Sequence, residues 1–312
     1  MVEMGSMDDC SICTGTAGRQ HLAREMMFGT LEPFTYFECA NCGAVQLASV
    51  PSDLARFYGD GYYSFGVSEW KKWSLPRRLL VAMALHRIPG ARFFRSTLQG
   101  NLRPLAALAR TGITRRMRLL DVGCGNGDLL FLLREAGFAT EGIDKFIPNE
   151  AVDRWGTRVR CADLSETDGK WDLIMFHHSL EHMSDHRKVL EMVRERLAPN
   201  GLCMVRIPLA EEAWRIYGVN WIQLDAPRHL ILHSRRSFQL TAHQSGFRIE
   251  RFHCDSDGFQ FWGSEMYKQG VAPSDRSYRR FSIARRMAFN AKATVLNLKG
   301  IGDQAVFILR AL

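Results

Sequence analysis

The chain has no run of 18 apolar residues free of charge, so it lacks a segment able to cross a bilayer as a helix. Its opening residues, Met1 to Ser6, hold no basic stretch followed by an apolar block, so no secretory signal is expected. Without export, the eight cysteines are expected in a reducing cytosol, as thiols or metal ligands and not as disulfides. Acid is missing altogether between Glu69 and Asp121, a span carrying twelve lysines and arginines. From Val271 onward eight more basic residues face only Asp275 and Asp303. The net charge of +8 therefore belongs to two flanking segments, while the remainder is acidic. Such one-sided basicity points to an anionic partner or a solvated surface. At 46% apolar and 24% charged residues over 312 positions, disorder is excluded and a substantial core is expected.

What is present is organised around Leu119-Leu120-Asp121-Val122-Gly123-Cys124-Gly125-Asn126-Gly127-Asp128. An apolar run ends in an acid, then in three alternating glycines, then in Leu129 to Leu133. This predicts a buried strand, a tight turn and a helix start. Glycine permits positive φ and close approach of backbone to a ligand, and the helix amides point over the turn. The spacing is G-x-G-x-G, whereas a dinucleotide fingerprint needs G-x-G-x-x-G. Asp128 stands where that last glycine would be and would repel a pyrophosphate. A ligand with a cationic end and no phosphate suits the loop better.

With its companion segments, the chain resembles a class I S-adenosylmethionine-dependent methyltransferase over roughly residues 115–255, and more weakly in the last strand. "LLDVGCGNGD" looks like the first motif of that family, and "EGIDKF" like the second. "CADL", "WDLIMFHHSLEHMSD" and "LAPNGLCMVRIP" follow in the family's order. The resemblance implies an α/β, Rossmann-like seven-stranded sheet with helices on both faces and an antiparallel last strand. It implies S-adenosyl-L-methionine bound by Asp121, Gly123, Cys124, Gly125, Asn126 and Gly127. Asp144 would hold the ribose hydroxyls beside Lys145, and Asp163 and Leu164 would lie along the adenine. His177 would pack against the cofactor. Strands are expected over 118–122, 140–143, 158–161, 173–176, 202–207, 247–253 and 304–309, with helices over 128–136, 185–197 and 237–245. Pro199-Asn200-Gly201 reads as a turn.

Two cysteine pairs precede this core. Cys10-Ser-Ile-Cys13 and Cys39-Ala-Asn-Cys42-Gly43 match a tetrahedral zinc site on two knuckles, with redox pairs or unrelated buried thiols as the plainer reading. Four thiolates leave no open position, so a structural ion is expected there, supplying the folding energy of a small segment. Cys124, Cys161, Cys203 and Cys254 read as core packing. Three segments follow: a zinc-knuckle segment at 1–50, a bridging basic helical segment at 51–114 and the methyltransferase domain at 115–312. The bridge carries Phe57-Tyr58-Gly59-Asp60-Gly61-Tyr62-Tyr63, which either closes over a ligand or packs on the core, and a basic amphipathic helix from Pro76 to before Pro89.

For chemistry, His178, Glu181 and His182 follow the fourth core strand at a spacing that places them on one helical face. An oxygen nucleophile loses a proton as its bond to the methyl carbon forms, so a neutral histidine is a fitting base. His182 and His229 are the candidates, with Asp225 placed to orient His229. Arg228 could hold an anionic group of the acceptor. Trp214 and Trp221 read as core or lid aromatics. The stretch from Trp214 to His233, containing "NWIQLDAPRHL", resembles a bacterial subgroup that often accompanies cell-surface polysaccharide and glycolipid synthesis. That resemblance implies a sugar hydroxyl on a nucleotide-linked or lipid-linked glycan as acceptor. The alternatives are an RNA or other small-molecule methyltransferase, nucleic acid being disfavoured for want of stacking aromatics, or a cofactor-binding module without catalysis. The C-terminal stretch Ser277–Lys299 repeats Phe281, Ala284, Ala288, Ala291, Val295 and Leu298 at helical spacing. Its alanine-rich face is expected to pack on the domain. A peripheral contact with anionic lipid at the inner face of the membrane is the other reading.

Overall fold

The structure is a computed structural model that describes residues 9–58, 74–85, 103–147, 158–272 and 277–312. Gly59, Asp60, Gly61, Tyr62 and Tyr63 of the bridge lie outside the described residues, as do Lys71, Lys72, Arg87, Arg92 and Arg95 of the acid-free span.

The alternation of short apolar runs with amphipathic stretches folds as a central sheet covered on both faces. Its strands are β4 (Leu119–Val122), β5 (Thr140–Ile143), β6 (Arg158–Arg160), β7 (Trp171–His177), β8 (Leu197–Pro208), β10 (Phe247–Cys254) and β11 (Gln304–Ala311). They lie in the order β10-β11-β8-β7-β4-β5-β6. β4 pairs in parallel with both β5 and β7, and β7 in parallel with β8, while β11 runs antiparallel between β8 and β10. The chain thus winds outward in two directions from β4 and β7. A ligand crevice opens beyond the carboxyl ends of strands where that reversal occurs.

Alternation along each strand divides the core. Leu173 and Met175 of β7 with Val306 and Ile308 of β11 face α3 (Asp128–Glu135) and the helices α1 (Leu75–Leu85) and α2 (Arg103–Leu108). Ile174, Phe176, Ala305 and Phe307 face the other way, onto Leu190 and Val193 of α4 (His186–Arg196) and Phe238 and Ala242 of α6 (Arg235–Gln244). Each of these side chains larger than alanine, fully buried, contributes roughly 1.5–3 kcal/mol. Asp185 and Ser234 cap α4 and α6, accepting from the amides of Lys188 and Ser237.

The turn expected at Pro199-Asn200-Gly201 is taken up inside a longer β8. Trp171 pairs with Leu197 and Leu173 with Leu202, so the intervening residues bulge out, with Asn200 at φ 64°.

The cysteine-bearing segment builds a second sheet from β1 (Gly18–Arg24), β2 (Pro33–Cys39) and β3 (Val45–Leu47). Its fourth strand, β9 (Ile231–Leu232), comes from the stretch between β8 and α6. Tyr36, Phe37 and Val45 share one apolar cluster with Trp214, Trp221, Ile222 and Leu230. Both tryptophans are therefore core residues, Trp214 on α5 (Glu212–Tyr217) and Trp221 just beyond it. The N-terminal segment folds onto the insertion and not apart from it, because a segment so short has little apolar surface of its own to bury.

α7 (Phe259–Lys268) precedes the C-terminal helix α8 (Ile283–Lys299). α8 packs through Ala293 and Leu296 against Phe261, with Phe289 half-buried beside them. Of the stripe expected to pack, Phe281 is buried, but Ala284, Ala288, Ala291, Val295 and Leu298 are exposed, as are Ile283 and Met287. The helix uses its larger side chains, Phe289 and Leu296, for the domain. This corrects the expectation that followed the alanine spacing.

Candidate functional site

The glycine turn after β4 forms the floor of the crevice. Gly123, Gly125 and Gly127 all have positive φ, at 74°, 54° and 84°. A Cβ on Gly123 would lie 2.4 Å from the Ser179 Cβ, so only glycine lets β4 end beneath that residue. Ser179 donates to the Val122 carbonyl at 2.6 Å and seals the gap. Asp144, at the end of β5, accepts from the amides of Gly125 and Phe146 at 2.9 and 2.8 Å. Two of the roughly four acceptor directions of a carboxylate are thereby used, and two remain for hydroxyl groups.

Asp121 is 2% exposed, and its Oδ1 has no hydrogen-bond partner among the described residues. Burial first, and then the Asp144 charge, push its carboxyl up from 3.8 to about 7. A buried, unpartnered acceptor beside a glycine cradle calls for a donor from outside the chain, and a cationic ammonium fits it. The residues present therefore fit S-adenosyl-L-methionine. Cys124 contributes its backbone to the turn. Its side chain turns under the loop against Leu130, Ile147 and Val159, close to Gly142. Asn126 braces the helix start, accepting from the Asp128 amide at 3.1 Å. Asp163 caps a short turn that buries Leu164, and Lys145 stands 3.9 Å from it on the surface.

His177 ends β7 and lies beside Arg206 of β8, whose guanidinium nitrogen is 3.2 Å from His177 Nε2. Arg206 is paired with Asp255 at 2.6 Å, and Gln304 donates to the same carboxylate at 2.8 Å. Burial, and then the Arg206 and His178 charges, hold the His177 imidazole well below its ordinary value. Since Arg206 can only donate, the proton of His177 sits on Nδ1.

On the far wall, three of the expected residues converge. His178 occupies the left-handed region at φ 56°, as does Asp225 at φ 40°. Such conformations cost non-glycine residues on the order of 1–3 kcal/mol and gather at functional sites. His178 Nδ1 meets Glu181 Oε1 at 3.2 Å. Burial would raise the Glu181 carboxyl, but His178, His229 and His182 together bring it down to about 2. The His182 Nδ1 lies 2.9 Å from the Arg228 carbonyl and the His229 Nδ1 lies 2.7 Å from the Gln223 carbonyl. Carbonyls only accept, so each Nδ1 carries the proton and each Nε2 offers a bare lone pair. Glu181, His182 and His229 bring their ligand atoms within 4.8 Å of one another. Burial, and then His229, lower the His182 imidazole, which keeps it neutral. Tyr58 adds its hydroxyl 3.1 Å from His182 Nδ1 and stacks on Phe146, so the bridge touches both walls.

Arg228 is not available to an acceptor. It is fully buried, paired with both oxygens of Asp225 at 2.6 and 3.0 Å and with Glu25 at 3.1 Å. A guanidinium so occupied is a structural tie between the insertion and β1, which corrects its expected role. Asp225, held by Arg228, stands 3.9 Å from His229 Nε2.

Comparison with known proteins decides the family. A family model described as a methyltransferase domain matches residues 93–251, half of the chain. The chain belongs to that methyltransferase family. A ubiquinone biosynthesis O-methyltransferase of Caulobacter sp. (strain K31) is 29% identical over 170 residues, 50% of this chain and 62% of that protein. Its namesake in Azorhizobium caulinodans is 28% identical over 174 residues, 50% of this chain and 61% of that protein. The chain thus matches less than two thirds of the length of these curated relatives. The solved structure of a SAM dependent methyltransferase from Archaeoglobus fulgidus aligns with 71% of this chain and 98% of its own. It does so at 19% identity and a TM-score of 0.45.

Beside this methyltransferase domain, the four cysteines of the knuckles meet. Cys10 and Cys42 sulfurs are 3.5 Å apart, as are those of Cys13 and Cys39. Thiolates at 2.3 Å around a tetrahedral ion lie about 3.8 Å apart, so the set fits zinc. The Cys42 hydrogen bond draws the Cys10 thiol down to about 5 despite burial. Asn41 donates to Cys13 at 3.4 Å, and Ser234 to the Cys42 carbonyl. Of the remaining cysteines, Cys203 and Cys254 are buried, but Cys161 is exposed, against the expectation of core packing.

The sequence reading missed Ser179, Arg206, Asp255 and Glu25. An arginine inside the apolar run "LCMVRIP" was the available signal for Arg206, since a charge in a buried strand needs a partner.

Proposed function

We propose that the chain is an S-adenosylmethionine-dependent O-methyltransferase acting on a hydroxyl of a small molecule. The observation that carries this reading is the buried Asp121 carboxylate, its Oδ1 unpartnered among the described residues, at a glycine cradle that runs under Ser179, two residues before Glu181. S-Adenosylmethionine, when bound, supplies a methyl group on a cationic sulfur. Asp121 would neutralise the ammonium end of that ligand, and Asp144 would accept from its hydroxyls. Gly123 and Ser179 shape the floor, and Tyr58 narrows the entrance. The Glu181–His182–His229 wall would draw the proton from the acceptor oxygen.

A cell-surface glycan acceptor, expected from the subgroup resemblance, finds no support in the curated relatives, whose names point to ubiquinone biosynthesis. A small molecule of that type is therefore favoured. Zinc at Cys10, Cys13, Cys39 and Cys42 would hold the N-terminal sheet. That sheet in turn braces the catalytic wall, because Tyr36 donates to the His229 carbonyl at 2.9 Å and Leu47 to the Leu230 carbonyl at 2.8 Å. The exposed stripe of α8, with Arg285 and Lys292 nearby, supports peripheral contact with an anionic membrane, where an apolar acceptor would partition. No helix among the described residues is long and apolar enough to cross a membrane.

The test is calorimetric binding of S-adenosylmethionine, followed by transfer of its labelled methyl group to small molecules extracted from cells. Saturable binding and a labelled methyl ether are expected. A chain that binds no S-adenosylmethionine at millimolar concentration overturns the reading.

A further inference from the structure

Three electron-pair donors meet at the far wall of the crevice with nothing between them to donate. The Nε2 atoms of His182 and His229 are bare, because each Nδ1 proton is committed to a backbone carbonyl. Glu181 is 1% exposed, and its Oε2 has no partner among the described residues. The ligand atoms of the three residues lie within 4.8 Å of one another. Acceptors gathered at this distance repel unless a cation or a shared proton stands among them.

The surroundings favour a cation. Glu25 and Asp225 share the single guanidinium of Arg228, which leaves one carboxylate charge unmatched, and Glu181 adds another. Three carboxylates, Glu25, Asp225 and Glu181, thus gather around one guanidinium. Each imidazole is fixed by a hydrogen bond from its other nitrogen, and Glu181 is fixed by His178, the arrangement that orients metal ligands. His178, which meets Glu181, and Asp225, 3.9 Å from His229, also hold left-handed backbone conformations.

We infer that Glu181, His182 and His229 hold one divalent transition-metal cation, with open positions for an acceptor oxygen. Two imidazoles and a carboxylate suit zinc, manganese, iron(II) or cobalt better than magnesium or calcium, which prefer oxygen alone. Three protein ligands leave positions free, unlike the closed four-thiolate set. An ion there would pull the ligand atoms in to roughly 2.0–2.2 Å from a common centre. His182 is only half-buried, which gives the ion an entry from the crevice. A hydroxyl bound to such an ion would release its proton to solvent water more readily, so the cation would take over the activating part given above to the three side chains themselves. The functional part of this inference rests on reading the crevice as a methyl-transfer site. The metal site itself rests on the ligand geometry.

The test uses the full chain, dialysed against a weak chelator that leaves zinc on the cysteines, and titrated with Co(II). One equivalent is expected to bind with a weak d–d spectrum free of sulfur-to-cobalt charge transfer. His229→Ala and Glu181→Gln should lose it. His178→Ala, which removes only the group that orients Glu181, should weaken binding roughly 10–100-fold. Circular dichroism and S-adenosylmethionine affinity are read on every variant, so that a misfolded chain is recognised and replaced by the milder His178→Ala. Cobalt binding unchanged across all three variants, or no sulfur-free cobalt spectrum in the wild type, overturns the site. A chain that binds cobalt as described yet transfers no methyl group supports the site and overturns the methyltransferase reading alone.

Discussion

Asp121→Asn is expected to make the ligand-free protein more stable and its cofactor affinity worse. Asp121 sits in the native chain with its carboxyl raised from 3.8 to about 7 by burial and by Asp144. Each unit is worth about 1.4 kcal/mol, so holding this group ionised at neutral pH costs on the order of 4 kcal/mol. The sign follows from proton binding. Between pH 4 and 7 the native carboxyl keeps a proton that the unfolded one has released. Its contribution to stability is fully present below about pH 4 and is lost as pH rises through about 7. Asparagine removes the ionisation while keeping the size, so the variant should gain about 1–3 kcal/mol at pH 8, less than the full shift because an amide is still polar and buried. In large domains each kcal/mol raises Tm by roughly 2–4 °C. A cationic ligand needs the ionised carboxylate, so wild-type affinity for S-adenosylmethionine should fall about tenfold per pH unit below pH 7. In Asp121→Asn the affinity should be lower by roughly 10–100-fold at pH 8 and nearly flat with pH, for want of a charged hydrogen bond worth about 1.5–3 kcal/mol. Asp303 is likewise raised to about 7 by burial, so the difference between wild type and variant is the quantity to follow. Thermal melts and calorimetry from pH 5.5 to 8.5 supply it. Equal Tm values, and parallel affinity curves for the two proteins, would refute the placement of Asp121 against the cation.

Asp144→Ala should weaken S-adenosylmethionine by roughly 1.5–3 kcal/mol in calorimetry and also loosen the glycine turn, because Asp144 holds the Gly125 amide. Undiminished affinity would remove it from the ribose. Cys10→Ser should cost the chain its bound zinc by metal analysis, which is expected at about one ion per chain. It should also slow methyl transfer more than it weakens cofactor binding, since the N-terminal sheet braces His229 and not the glycine turn. Co-sedimentation with anionic vesicles should exceed that with neutral ones and decline as salt rises, and Leu298→Asp should reduce it. Equal recovery from both vesicle types at low salt would leave α8 a plain surface helix.

The glycine turn, the succession of strands and helices along the chain and the cysteine pairs were legible because each is a local signal. An apolar run ending in Asp-x-Gly-x-Gly-x-Gly can bury itself only as a strand, and its glycines mark where backbone must pass another chain segment. Asp121 and the four cysteines were singled out for the same reason, and Asp144 through the family resemblance. The histidines were legible as candidates, but their chemistry was not. Which nitrogen of His182 and His229 is bare depends on the carbonyls of Arg228 and Gln223, and neither carbonyl can be placed without the fold. Arg228 looked free in the sequence because its second partner, Glu25, is distant along the chain and reaches it only when β1 packs on the insertion. The outward turn of the alanine stripe on α8 was decided by Phe261 and its neighbours, which accept Leu296 and Phe289 instead. Periodicity tells which side chains share a helical face. Only the packed surface opposite determines which face is covered, because burial rewards the area a partner can cover, and that partner is set by the tertiary fold.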